Sequence, residues 1–417
     1  MALFMMKRGN MKNKTVKLLA AVTMTGGLVA AALPAVSLAS TPTVSDSTFN
    51  TSFSTMASLK SIVAKGKGSI AVILPDTVSS TRYTEFDAPY LTKAFKAAGL
   101  TSSQFIIQNA QGSDTTQYTD AQADIAKGAK VLLLDPLDAT TGAIIETYAV
   151  AHGVKVIDYD RLTLGGARTY YVSFDNVKVG QLIGNGLVSC LSSWNIASPV
   201  VYEMYGAPTD HNATLFAQGY SPVLNAAKTA GKIHTIVTES AGTWTPSQAL
   251  TDFQGAFQAN NSINAVLTPN DENAAPIIAN LQSQGVTPKS FPFTGQDATL
   301  TGFQNIISGY QCGTVYKPIW LEAQAAAALA IYLRGGVKPP TGIVNGSTPD
   351  TSATINSFKN VPSVLLTPTW VTPQNVESTV IKDGVIKVSD LCTSAKPSVL
   401  GHTQPSYSAD CTTYGIH

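Results

Sequence analysis

Short apolar runs alternate along this chain with longer stretches in which apolar residues recur every three or four positions. The run SIAVIL (69–74), bounded by Gly68 and Pro75, reads as a buried parallel strand. Tyr90, Leu91, Ala94, Phe95 and Ala98 follow at helical spacing and stop at Gly99. The same beat gives a strand at 104–109, a helix near 115–127, a strand at 130–135, a helix near 141–152 and a strand at 154–158. It pauses at TYYVSFDN (169–176) and restarts with helices at 177–193, 212–230, 246–259 and 273–284, and strands at 199–205, 233–238 and 263–268. The stretch 291–320 then predicts a strand ending in Asp297, a helix, and a strand ending in Lys317.

Strands and helices alternating at these lengths predict parallel sheets covered on both faces. One sheet holding so many strands would be unusual, so two similar doubly wound α/β lobes are the economical reading. The helix at 319–334 reads as detached from the strands before it, and Pro318 directly follows Lys317. A chain that crosses at YVSFDN, again near 317 and again near 364 joins two lobes by three hinge crossings. The expected parts are a linker at 40–65, an N-terminal lobe of 66–173 plus 318–362, a C-terminal lobe of 174–317 plus 363–391, and a tail at 392–417.

Composition changes this picture little. Of 417 residues only 13% are charged and the formal net charge is +1, which argues against a nucleic-acid or membrane-surface partner. The first 39 residues read as a signal peptide. Lys7, Arg8, Lys12, Lys14 and Lys17 form a basic region, Leu18 to Val36 is apolar, and Ser37-Leu38-Ala39 supplies the small residues at a cleavage site. Gly26, Gly27 and Pro34 interrupt the apolar run, which disfavours a permanent membrane anchor, and no cysteine precedes Cys190 to carry an amino-terminal lipid. The expected product is soluble, in a periplasm or outside the cell. Four cysteines in an exported chain favour two disulfides. Three pairings are open, and Cys392 with Cys411 and Cys190 with Cys312 are favoured; no short cysteine spacing suggests zinc.

Polar residues gather where the predicted strands end. They include Asp76, Arg82 and Tyr83; Asp135 and Asp138; Asp160 and Arg161; Asp210, His211 and Asn212; Trp244; Asn270 and Asp271; Asp297; and Lys317. The carboxyl ends of strands in open α/β sheets are where ligands are held. Singly, an Asp or Asn after a strand is an ordinary helix cap or turn residue, and Asp210, Asn212 and Asp271 carry that ambiguity. His211 reads as a surface turn. Together, carboxylates and amides that accept, cations that donate and aromatic faces that cover C–H groups make an array suited to a polyhydroxylated ring. GxSxG, HExxH and Walker-type loops are absent, the five histidines lack triad or metal-ligand spacing, and no acid and nucleophile pair stands out for glycoside hydrolysis.

The elements LPDTVSSTRYTEFD, VIDYDR, YYVSFDN, GAPTDHNATLF, TWTPSQAL, NDENAA, TGQDA and TVYKPI, in this order, resemble the D-xylose-binding protein family over about residues 66–390. The resemblance implies a type I periplasmic binding protein fold, an aldopyranose held between two lobes without catalysis or cofactor, and delivery to the permease of an ABC importer. Carried over residue by residue, it places the sugar contacts at Arg82, Tyr83, Asp160, Arg161, Asn212, Trp244, Asn270, Asp297 and Lys317. Tyr83 departs from the family pattern, where Trp commonly follows the Arg, so the sugar is left open among xylose and related aldoses. The expected state is a monomer with no metal. Rival roles are presentation of a sugar to a chemoreceptor or sensor kinase, a secreted carbohydrate-active enzyme, and a sugar-responsive repressor core whose helix-turn-helix place is taken here by the signal peptide.

Overall fold

The computed structural model describes residues 44–350, 360–396 and 406–417. The signal-peptide segment lies outside those residues. Among the described ones no helix is long and apolar enough to cross a membrane.

The first sheet is built from β1 (Ser69–Leu74), β2 (Phe105–Asn109), β3 (Ala129–Leu134), β4 (Lys155–Tyr159) and β5 (Tyr170–Phe174), with β10 (Gly346–Pro349) and β11 (Asn360–Leu366) joining from late in the chain. Its order is β10-β11-β5-β4-β3-β1-β2, parallel except for the antiparallel β10. Strands such as β1 and β3 are buried along almost their whole length, as helices on both faces require. Those helices are α2 (Ala88–Ala98), α3 (Asp114–Ala126), α4 (Ala139–Ala151) and α10 (Ile319–Arg334). Ser113 and Asp138 cap α3 and α4 by accepting from backbone N–H groups of the first turn.

Residues 44–65, expected as a linker, instead fold onto this lobe as short turns and α1 (Lys60–Val63). Their Ser and Thr content hides Val44, Phe49, Phe53, Met56 and Leu59, all of which are buried. This segment explains α10, whose sequence IWLEAQAAAALAIYLR has no polar face. A helix apolar all round must be covered all round, and α10 lies between the sheet and the amino-terminal turns. Gln324 Nε2 donates to Asn50 O at 3.0 Å and Arg334 Nη1 to Val63 O at 3.2 Å.

The second sheet has β6 (Val200–Glu203) between β7 (Thr235–Thr238) and β8 (Ala265–Leu267). Around it pack α5 (Asn176–Ser193), α6 (His211–Thr229), α7 (Pro246–Ala259), α8 (Asp271–Ser283) and α9 (Leu300–Ile307). The predicted strand at 291–297 is reduced to isolated bridges, Val266 with Phe293 and Gln296 with Val315. Pro292 supplies no N–H for a ladder, and Gly295 lies so close to Asp271 that an added Cβ would sit 1.9 Å from its Oδ1. β9 (Thr314–Tyr316) then pairs antiparallel with β12 (Thr369–Val371).

The chain passes from the first sheet to the second after β5, returns from β9 into α10, and leaves again between β11 and β12. β11 is one strand through Leu366, parallel to β5 from Ser363, so the expected boundary at 362/363 falls inside it. Pro362, which suggests a break in sequence, pairs only with the outer strand β10. Disulfides join Cys190 to Cys312 and Cys392 to Cys411. The second closes the tail around α11 (Val388–Thr393) and α12 (Ser408–Tyr414), whose Leu391, Tyr407 and Ile416 are buried.

Candidate functional site

The carboxyl ends of both sheets face one small cavity. In the first sheet the order β4-β3-β1-β2 reverses direction between β3 and β1, the switch point at which such sheets open a crevice. All nine residues proposed from sequence line the cavity: Arg82, Tyr83, Asp160, Arg161, Asn212, Trp244, Asn270, Asp297 and Lys317. Ser79, Ser80, Asp210, Phe216 and Gln296 complete it.

Backbone geometry aims two of the carboxylates. Asp160 and Asp297 have φ of 57° and 86°, a left-handed conformation that Asp tolerates better than most residues. Each is anchored by its N–H across a strand end, Asp160 to Val172 O at 2.9 Å and Asp297 to Val315 O at 3.0 Å. Backbone held this way at a strand mouth is a common mark of a functional position.

The two arginines look alike in sequence and differ in the fold. Arg82 is buried and forks onto Asp87 with two bonds of 2.8 Å, while donating to Glu322 at 2.6 Å and Asp160 at 2.7 Å. Of its five N–H groups one remains. Arg161 makes a single hydrogen bond among the described residues, to Ser79 Oγ at 3.0 Å, and otherwise stands 3.4 Å from Asp210 and 3.8 Å from Asp135 and Asp76. Nε is turned toward the Asp210 and Asp135 carboxylates, and the remaining donors make no hydrogen bond among the described residues. Their guanidinium carbons lie 5.6 and 5.5 Å from the centroid of the Tyr83 ring, whose hydroxyl donates to Asp160 at 3.1 Å.

Lys317 is buried between Asp297 at 3.2 Å and Asp160 at 3.9 Å. Among the described residues Asp297 Oδ1 has no hydrogen bond beyond that ion pair, and Gln296 Oε1 has none. Asn212 and Asn270 are largely engaged within the protein. Asn212 accepts from Tyr171 and Asn176 and donates to Asp160 O, and Asn270 caps α8 while donating to Ser79 O. Each keeps one free N–H.

Charge around the cavity is weighted toward acids. Burial works against ionised Asp160, yet Arg82, then Lys317 and Arg161, hold its carboxyl below the ordinary value. Burial pushes Asp135, Asp210 and Glu272 up, the last two with help from Asp160 and Asp297 respectively, and raises Glu322 to about 8. Among the described residues the carboxyl groups of Asp76, Asp87, Asp135, Asp160, Asp210, Glu272, Asp297 and Glu322 outnumber the cations Arg82, Arg161 and Lys317 around the cleft.

An aromatic wall faces these groups. Trp244 Nε1 donates to Asp210 Oδ2 at 2.9 Å, and the indole meets Phe216 edge-on at 6.4 Å. Gly206 backs it, where an added Cβ would sit 2.1 Å from Trp244 Cζ2.

Sequence reasoning missed several contributors. Phe216 sits at helical spacing in α6 and reads as core. Asp210, left open in sequence between helix cap and site residue, is both: Oδ1 accepts from Asn212 N at 2.9 Å, while its second oxygen orients Trp244. Glu272 ties the two halves of the cleft, accepting from Ser80 Oγ at 3.0 Å and Thr81 N at 3.1 Å. His211, expected in a surface turn, is buried, and desolvation lowers its pKa.

Comparison with known proteins identifies the family. Residues 70–337 match the family model of the periplasmic binding protein domain. The chain is 37% identical over 298 residues to the D-xylose-binding periplasmic protein of Escherichia coli, covering 71% of this chain and 86% of that one. It is 35% identical over 284 residues to the D-xylose-binding periplasmic protein of Haemophilus influenzae, covering 68% and 81%. Among solved structures it is similar to a carbohydrate transporter solute-binding protein from Chloroflexus aurantiacus in complex with D-glucose, with a TM-score of 0.66 at 28% identity, covering 77% of this chain and 97% of that one. The chain thus belongs to the periplasmic sugar-binding proteins of type I fold, a family that binds substrates for transport.

Proposed function

We propose that the cavity closes on a neutral aldopyranose, D-xylose or a near relative, and releases it unchanged to the permease of an ABC importer. The observation that carries this reading is the set of polar groups left short of hydrogen bonds among the described residues: the Arg161 Nη donors not bonded to Ser79, across one small cavity from Gln296 Oε1 and from Asp297 Oδ1, which has only its ion pair with Lys317, beside the Trp244 and Phe216 faces. A sugar hydroxyl both donates and accepts, and the C–H face of a pyranose covers an aromatic ring. Leaving buried groups like these unpaired is costly, so ligands with a missing or misplaced hydroxyl are rejected. The acidic balance disfavours uronates and sugar phosphates. Names of relatives support xylose, and the Chloroflexus structure supports a related hexose.

In this reading Arg82 is a positioning residue for Asp160, and Arg161, Asp297 and Lys317 contact the ligand. The three chain crossings act as the hinge. The protein works as an exported monomer, without a cofactor or turnover. Calorimetry against xylose, arabinose, ribose, glucose, galactose and glucuronate tests it. Micromolar or tighter binding of at least one neutral aldose, with glucuronate far weaker, is expected; no neutral aldose binding would overturn the reading.

A further inference from the structure

Arg161 makes one hydrogen bond among the described residues, so its placement depends on the backbone that carries it. That backbone is part of a short closed loop. β4 ends in Asp158 and Tyr159, and the chain then turns through Asp160, Arg161 and Leu162 to Thr163. Asp158 Oδ2 accepts from Thr163 N at 2.7 Å and Oδ1 from Thr163 Oγ1 at 3.3 Å, which ties the two ends of the loop together. Behind it sits Arg168, whose side chain is 1% exposed. Arg168 Nη1 donates to Thr163 O, Nε to Glu146 Oε2 at 3.3 Å and Nη2 to Asp350 Oδ2 at 2.8 Å, and Nε stands 3.7 Å from Asp158 Oδ2. Glu146 comes from α4, and Asp350 directly follows β10. Asp350 also accepts from Gly165 N at 3.0 Å, and Gly166 lies so close to Glu146 that an added Cβ would sit 2.1 Å from its Oε2. One guanidinium thus fastens the loop to a helix, to the end of its own strand and to a carboxylate 182 residues further along the chain.

We propose that Arg168 is a positioning residue for the sugar site: by holding Thr163 and Asp158 it sets the backbone from which Asp160 and Arg161 reach the ligand. The inference rests on the sugar reading of the cleft and adds to it a residue behind the cavity wall. Two observations call for such a clamp. Asp160 keeps a left-handed backbone, with φ of 57°, and such a conformation persists only where the surrounding structure over-determines it. Arg161, unlike Arg82, makes no hydrogen bond to a carboxylate among the described residues, so no fork fixes its guanidinium. A shift in the loop is therefore passed directly to its donors. Groups that recognise a ligand must be held to within about 0.5 Å, a task for the residues packed behind them. A cluster that serves only the fold and one that aims the loop differ in one observable: sugar affinity in protein that is still fully folded.

Calorimetry well below the melting temperature tests this, with D-xylose, arabinose, ribose, glucose and galactose as probes and the tightest binder carried through the variants. Arg168→Met should weaken that sugar by about tenfold or more in protein whose circular dichroism matches the parent's. Arg168→Lys keeps the charge but cannot reach Thr163 O, Glu146 and Asp350 at once, and should weaken it by about threefold or more; it carries the test where Arg168→Met does not fold. Ile70→Ala, buried at the amino end of β1 and away from the loop, lowers stability through a cavity and should leave affinity within about twofold. Affinity within about twofold of the parent in folded Arg168→Met, or in Arg168→Lys where the first does not fold, overturns the inference. A loss in Ile70→Ala equal to that of the Arg168 variant also overturns it, because destabilisation alone then accounts for the effect. Binding of none of the probes by the parent overturns the sugar reading and this inference with it.

Discussion

Replacing Lys317 by Met should cripple closure more than folding. The ammonium stands 3.2 Å from Asp297 Oδ1, which has no other hydrogen-bond partner among the described residues, and 3.9 Å from Asp160 on the opposite side of the cleft. At an effective dielectric of about 20 the nearer pair is worth about 5 kcal/mol before desolvation is counted. When the cleft is open, water solvates Asp297 and the loss of the cation costs little. When it is closed the carboxylate is buried unpaired, and breaking one side of such a pair typically costs about 3 to 5 kcal/mol. The difference falls on the closed, ligand-bound form, so affinity should drop roughly a hundredfold or more. Calorimetry with D-xylose reads the affinity, and small-angle scattering with and without sugar reads closure. Lys317→Met combined with Asp297→Asn removes the unpaired charge and should bind no worse than Lys317→Met alone, a non-additivity expected of groups in contact. Affinity of Lys317→Met within threefold of the parent, or strictly additive losses in the double variant, would refute the reasoning.

Other substitutions separate the neighbouring roles. Arg161→Ala should abolish measurable sugar binding with a melting temperature near the parent's. Arg82→Ala leaves Asp87, Asp160 and Glu322 without their shared cation and should lower folding stability by about 3 kcal/mol or more; equal melting temperatures for the two variants would contradict that division. Burial raises Glu239 from 4.5 to about 7. An acid so raised holds its proton where the unfolded chain has lost it, so its contribution is complete below about pH 4.5 and lost as pH rises to about 7. Glu239→Gln, neutral throughout, should gain on the parent by about 3 kcal/mol across that window in denaturant titrations, and a constant difference would exclude the mechanism. Replacing Cys392 and Cys411 by Ser opens a loop of 19 residues and should cost about 3 kcal/mol of stability, with calorimetry showing the sugar affinity unchanged.

The fold was legible because apolar runs and helical spacing alternate with few exceptions, and the site was legible because those runs end at polar residues. Asp160, Arg161, Trp244 and Lys317 could be placed on one surface by knowing only where strands stop. Division of labour among them was not legible. The contrast between Arg82 and Arg161 is set by Glu322, which sits in the alanine-rich α10, and by Asp87, at the end of a turn of π-helix, and neither position carries a local signal. The segment 44–65 was misread for a similar reason: its apolar residues are too sparse for a helical period and are buried only because α10 offers them a surface.

The placement of α10 and β11 also bears on when the molecule can form. The first sheet begins at residue 69 and takes its last strand in chain order from 360–366, and its amino-terminal turns rest on a helix at 319–334. Contacts this far apart in sequence must close very long loops before they stabilise anything, which makes folding slow. A nascent chain therefore lacks the partners of its own beginning until nearly all of it has been synthesised. On the export proposed above, this delay would keep the chain unfolded until most of it had been made.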